Sequence, residues 1–190
     1  PSTTAPEGAP IPERHPLAPV AGSKIPSHFG HCFGCGDLHP TGLHLVAYAG
    51  AGLEITAEFT VTENHQGAPG LAHGGLLSLA FDEALGKLMW LLRAPAVTAR
   101  LETDFMKPVP MGSKLYISAE ITGQVNRKVY CSAVGRLNSP DGEIAVRAAA
   151  LFVIVPMSHF LQNAPAEYLE AIAKTPEVLA FVDPNFNINP

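Results

Sequence analysis

The 190-residue sequence predicts an α+β domain in which one long helix packs against an antiparallel sheet. Three observations carry this expectation. Apolar residues recur at helical spacing over one long stretch, Leu76 to Leu92. Before it, "GLHLVAYA" and "LEITAEFTV" alternate β-branched and aromatic residues as half-buried strands do. After it come four more runs of strand character, "AVTARLETDFM", "KLYISAEIT", "KVYCSAVGRL" and "EIAVRAAALFVIV".

Residues 1–26 hold six of the eighteen prolines before residue 20 and few large apolar side chains, so they predict an extended or disordered arm. Gly50-Ala51-Gly52 joins the first two strands as a hairpin, and "ENHQGAPG" is loop by composition. Gly74-Gly75 lead into the helix. Leu76, Leu77, Ala80, Ala84, Leu88 and Leu91 form its buried stripe, and Pro95 ends it. Turn residues at Pro108–Gly112, Gly123–Asn126 and Asn138–Gly142 separate the last four strands, which are expected in meander. The domain is thus expected over residues 27–157, with a sheet of about five to six strands. A C-terminal tail, 158–190, carries a short helix from Pro165 to Lys174 with Pro at its start.

Totals narrow the partners. The net charge is −5 and Lys and Arg are scattered, so nucleic acid is not expected. Asp82, Glu83 and Lys87 interrupt the longest apolar run, which falls short of the roughly 18 residues of a membrane span. The Pro-rich start lacks the regions of a signal peptide, and three cysteines do not suggest a disulfide framework; the cytoplasm is the expected compartment.

Two features of the helix bear on chemistry. Glu83 and Lys87 are spaced to pair along a solvated face. Asp82 lies about 100° around the helix from Glu83, among apolar neighbours where a carboxylate needs a reason. At the helix start, His73-Gly74-Gly75 offers unpaired N–H groups, a partial positive charge and close approach for an oxyanion, with His73 read as a structural hydrogen-bonding residue. Gly74 and Asp82 are eight residues apart, roughly 12 Å along a helix. One chain cannot bring both to one carbonyl, so cooperation between them requires a two-fold dimer.

The stretch "GAPGLAHGGLLSLAFDEALG", with nine residues from His73 to Asp82, resembles the signature of hotdog-fold acyl-CoA thioesterases of the PaaI-like family. "HCFGCGDLHPTGLHL" and "TARLETDFMKPVPMG" are similar to the segments flanking that signature, so the likeness covers roughly residues 29–155. The resemblance implies a hotdog fold, a long central helix wrapped by a curved antiparallel sheet, and homodimers or homotetramers with active sites at the subunit interface. It further implies hydrolysis of an acyl-CoA substrate, coenzyme A being part of the substrate and no separate cofactor being needed. The Gly74 N–H would polarise the thioester carbonyl, with Gly75 beside it, and Asp82 of the partner would act as nucleophile or as general base. Gln66 would orient water or substrate, and Thr98 would line the site next to Asp82. Arg127 and Lys128 would meet the coenzyme A phosphates, an ordinary solvated turn being the competing role.

Cys32-Phe-Gly-Cys35 has the two-residue spacing of a metal motif. His31, Cys32, Cys35 and His39 supply four ligand types within nine residues, but such crowding is atypical of zinc sites, so a tight turn with packed thiols is expected and no metal is assigned. The alternative to hydrolysis is a hotdog module that binds acyl-CoA or an aromatic ligand without turnover. Phe81, Met89 and Trp90 are the residues expected to set pocket depth.

Overall fold

The computed structural model describes residues 1–161, so the helix expected at Pro165 to Lys174 lies outside the described residues. The elements are β1 (Lys24–Ile25), β2 (Val46–Ala49), β3 (Glu54–Thr60), β4 (Gln66–Ala68), β5 (Leu71–Ala72), α1 (Gly74–Lys87), α2 (Met89–Leu92), β6 (Ala96–Phe105), β7 (Lys114–Val125), β8 (Lys128–Leu137), β9 (Ile144–Ile154) and α3 (Met157–Leu161). Seven strands form one antiparallel sheet in the order β1-β2-β3-β7-β8-β9-β6, and β4 and β5 form a separate small hairpin. The seventh strand is β1, at the end of the Pro-rich arm. α1 and α2 lie on the sheet as the expected long helix, tightened at Leu88 and closed by Arg93 at φ 50°.

The last four strands are not a simple meander. β7, β8 and β9 follow one another, but β6 lies at the far edge and pairs with β9. The cause is the segment after β6. Pro108 and Pro110 cannot donate to a hairpin ladder, and this segment instead meets β5, where Ala72 N–H donates to Val109 O at 2.9 Å.

Alternation places Leu115, Ile117, Ala119 and Ile121 of β7 on the face covered by the helix, where Leu77, Ala80, Phe81, Ala84, Leu85 and Leu88 meet them. Gly135 on β8 makes room for the Phe81 ring; a Cβ there would stand 2.6 Å from its Cζ. Phe81 is therefore core, not pocket lining.

The turn expected at Gly123–Asn126 begins later, because β7 continues to Val125 with a bulge between Ile121 and Gly123. The bulge puts Gly123 opposite Tyr130 on the outer face, and Ala5 and Ala9 of the arm lie within 3.2 Å of where its Cβ would be. The arm is extended and bonded along its length. Arg14 donates to Gly50 O at 2.9 Å and also to Gly52 O; Gln124 N–H donates to Pro10 O at 2.9 Å; buried Thr3 bonds Glu102 on β6.

Candidate active site

β6 runs along the flank of α1, and three contacts mark their alignment. Phe105 packs 3.5 Å from where a Gly74 Cβ would be, Ser78 and Thr103 share a 3.1 Å hydroxyl hydrogen bond, and Thr98 Oγ1 donates to Asp82 Oδ1 at 2.7 Å. Asp82 is half-buried and opens on a cavity of about 560 Å³ with walls that include Phe29, Phe33, Leu79, Met89, Trp90 and Phe152. Burial raises the Asp82 carboxyl above its ordinary value; the Thr98 hydroxyl draws it back, and neighbouring Glu83 pushes it further up.

The helix start is a separate place. His73 is the N-cap of α1, and its Nδ1 accepts from Gly75 N–H at 2.9 Å. Its backbone carbonyl takes the N–H groups of Leu76 and Leu77, while Gly74 N–H has no hydrogen-bond partner among the described residues. Gln66 braces the β4–β5 turn, accepting from Gly70 N–H at 2.8 Å and donating to Glu63 O at 3.2 Å. Exposed Leu71, Phe105, Met106 and Met111 surround this end. Because α1 is unbroken from Gly74 to Lys87, Gly74 and Asp82 stay roughly 12 Å apart in one chain. The described chain therefore brings Thr98 to Asp82, and gathers Gln66, His73, Gly74 and Gly75 elsewhere.

Arg127 and Lys128 are exposed in the β7–β8 turn. Arg127 O accepts from Ile154 N–H; Lys128 pairs with Val153, on the face of the sheet opposite the cavity residue Phe152, and neither cation lines the cavity. Of the three residues expected to set pocket depth, Met89 and Trp90 do line the cavity.

The Glu83–Lys87 pair forms at 3.2 Å, but not on a solvated face. Lys87 is 2% exposed and also donates to Pro26 O at 2.9 Å. The residues before and within Cys32–Cys35 fold over it. Cys32 Sγ lies 3.3 Å from Glu83 Oε2, Cys35 Sγ lies 3.3 Å from His28 Nδ1, and His28 Nδ1 lies 3.6 Å from Glu83 Oε1. His31 and His39 turn elsewhere, edge-on to Phe29 and Phe33. The ligand set suggested by spacing is thus not the one the fold assembles. His28 sits four residues before Cys32 and Glu83 fifty-one after it, so local spacing carries no signal for either. Hydrogen bonding to Cys35 and Glu83 raises His28 to about 9. Cys35 is held below its ordinary value, first by Cys32 and then by His28 and Lys87, while the same Cys35 contact and burial raise Cys32.

No helix among the described residues is long and apolar enough to cross a membrane. Residues 69–138 match the family model of the Thioesterase superfamily. Acyl-coenzyme A thioesterase THEM4 of Xenopus laevis is 31% identical over 88 residues, 46% of this chain and 39% of that protein. The chain thus spans well under half the length of this curated relative. A solved thioesterase superfamily protein superposes with a TM-score of 0.52 at 28% identity, over 57% of this chain and 53% of its own. A Streptococcus pneumoniae thioesterase solved with coenzyme A superposes at 0.51 and 19% identity, over 54% of this chain and 78% of its own. Residues 69–138, which carry the helix motif, are similar to the Thioesterase superfamily, and the sheet wrapped on this helix gives the chain the hotdog fold.

Proposed function

We propose that this chain hydrolyses an acyl-CoA thioester, using Asp82 of one protomer and the Gly74 N–H of its partner. The observation that carries this reading is the Thr98-oriented Asp82 carboxylate at the wall of an apolar cavity. An acyl chain fits such a cavity, while the coenzyme A phosphates reach outside it to surface cations, Arg127 and Lys128 in the β7–β8 turn being the candidates. The pneumococcal relative binds coenzyme A. It has also been solved with an Asp or a Thr replaced by Ala, two positions sixteen residues apart, as Asp82 and Thr98 are here.

As general base, Asp82 takes a proton from water as the water oxygen bonds to the thioester carbon. The resulting oxyanion is held by the partner's helix start, where Gly74 N–H and the positive end of the helix dipole face it. Collapse breaks the carbon–sulfur bond, and the thiolate leaves with the proton from Asp82. As nucleophile, Asp82 instead bonds to the thioester carbon and the carbon–sulfur bond breaks, expelling the thiolate. Water then opens the acyl anhydride to the free acid and the Asp82 carboxylate, and its proton goes to the thiolate. Gln66 and His73 support the donor by fixing the β4–β5 turn and the helix cap.

Dimerisation places the two halves together. Among the described residues the outer edge of β6 has no partner strand, and the apolar side chains beside Gly74 stand exposed. A two-fold axis across β6 joins the sheets and sets the helices antiparallel, giving two equal sites.

Mixed dimers test this directly. Asp82→Ala and Gly74→Pro chains are each inactive alone; after co-expression, half the dimers are mixed and half their sites intact, so about a quarter of the unaltered rate returns. No recovery, or no turnover of any acyl-CoA by the unaltered chain, rejects the shared site or the activity respectively.

A further inference from the structure

We propose that His28, Cys32, Cys35 and Glu83 bind a structural Zn²⁺ ion that ties residues 28–35 to α1 in the wall of the acyl cavity. The four donor atoms, one nitrogen, two sulfurs and one oxygen, lie within 4.8 Å of one another. Tetrahedral zinc with Zn–S near 2.3 Å and Zn–N or Zn–O near 2.0 Å sets its donors about 3.3 to 3.8 Å apart. With Glu83 Oε2 as the oxygen donor, the cluster already has two such edges, Cys32 Sγ to Oε2 and Cys35 Sγ to His28 Nδ1, each 3.3 Å. Four protein ligands fill the tetrahedron, which makes the site structural rather than one that holds a reacting water.

The surroundings fit an ion. Two thiolates and a carboxylate around Zn²⁺ leave one negative charge, and buried Lys87 stands 3.2 Å from Glu83 Oε1 to balance it. Glu83 Oε2 stays directed at Cys32. The backbone leaves room for it: a Cβ on Gly36 would lie 2.3 Å from Gly30 O inside the loop, and one on Gly34 would lie 2.5 Å from Glu83 Oε2, displacing that carboxylate. A Cys32–Cys35 disulfide alone leaves the convergence of His28, Glu83 and Lys87 without a purpose. Borderline-soft Zn²⁺ suits this mixed sulfur, nitrogen and oxygen set better than Mg²⁺ or Ca²⁺, which take oxygen ligands.

The test uses the full chain purified without chelator. Metal analysis is expected to find about one zinc per chain, retained through dialysis. Exchange for Co²⁺ is expected to give the intense visible bands of a tetrahedral ion and a thiolate-to-cobalt charge-transfer band. The Cys32→Ser, Cys35→Ser double variant loses the metal, whereas Cys131→Ser keeps it. Glu83→Gln preserves shape but removes an anionic donor. It should weaken zinc on the order of tenfold or more, since even outer partners of a bound metal contribute that much. Should the double variant fail to fold, the Co²⁺ spectrum of the unaltered chain and the Glu83→Gln affinity decide. Zinc-free protein with free thiols and an octahedral Co²⁺ spectrum overturns the proposal; so does a Cys32–Cys35 disulfide without metal, or zinc retained by the double variant. None of these readouts depends on acyl-CoA turnover, so the metal site and the hydrolase reading stand or fall separately.

Discussion

Thr98 Oγ1 donates a 2.7 Å hydrogen bond to Asp82 Oδ1, joining the start of β6 to the middle of α1. The bond holds the carboxylate through Oδ1, and under the proposed reaction Oδ2 is the oxygen that meets water or the carbonyl carbon. Asp82→Asn is expected to lower kcat by roughly 10²- to 10⁴-fold, and Thr98→Ala by about tenfold, with both proteins folded; thiol release from acyl-CoA measures each.

The acid side of the pH–rate profile follows from the same bond. In the proposed reaction only the ionised carboxylate acts, and burial raises its pKa above the ordinary 3.8, so the rate is expected to fall as pH drops through that raised value. Thr98 stabilises the ionised form. Thr98→Ala should therefore move the acid limb to higher pH, and an unmoved or lower limb would show that this bond does not tune Asp82.

Gly74 allows a donor to be removed without unwinding the helix. It is the first helical residue, where proline is tolerated, and His73 before it already has the extended backbone proline requires, φ −70° and ψ 130°. Gly74→Pro should lower kcat about 10²- to 10³-fold while shifting Tm little. Gly74→Ala retains the N–H, meets Phe105 only at contact distance and should keep most activity.

Arg127 and Lys128 should act on binding alone. Being exposed, each contributes weakly, and replacement by Ala is expected to raise KM for acyl-CoA about two- to fivefold, with kcat unchanged and the effect fading at high salt.

Gly135 tests the core. An added methyl would meet the fully buried Phe81 ring, so Gly135→Ala should destabilise by about 1 to 3 kcal/mol in denaturant unfolding. The double change Gly135→Ala, Phe81→Leu should recover part of that loss.

What could be read from the sequence follows the range of the forces involved. Alternation in β7 and helical spacing in α1 are local, and the structure has both elements in place. The position of β6 is not local, since it depends on where α1 and α2 deliver the chain and on Val109 and Pro110 being taken up by β5. Lys87 shows the same limit. Its spacing from Glu83 predicts the pair, but its burial comes from Pro26 and the cysteine loop, more than fifty residues away. Asp82 was legible because a carboxylate in an apolar stripe conflicts with the pattern around it.

The arm that crosses the sheet has an effect on assembly. Tyr130 and Leu151, opposite one another on β8 and β9, are buried yet stand outside the core cluster that holds their neighbours Cys131 and Ala150. Ala5 and Ala9 over Gly123 seal this side, and Thr3 fastens the arm to β6. The back of the sheet is thereby finished within one chain. Among the described residues the outer edge of β6 is then the one long strand edge of the sheet that the arm leaves unpaired and open.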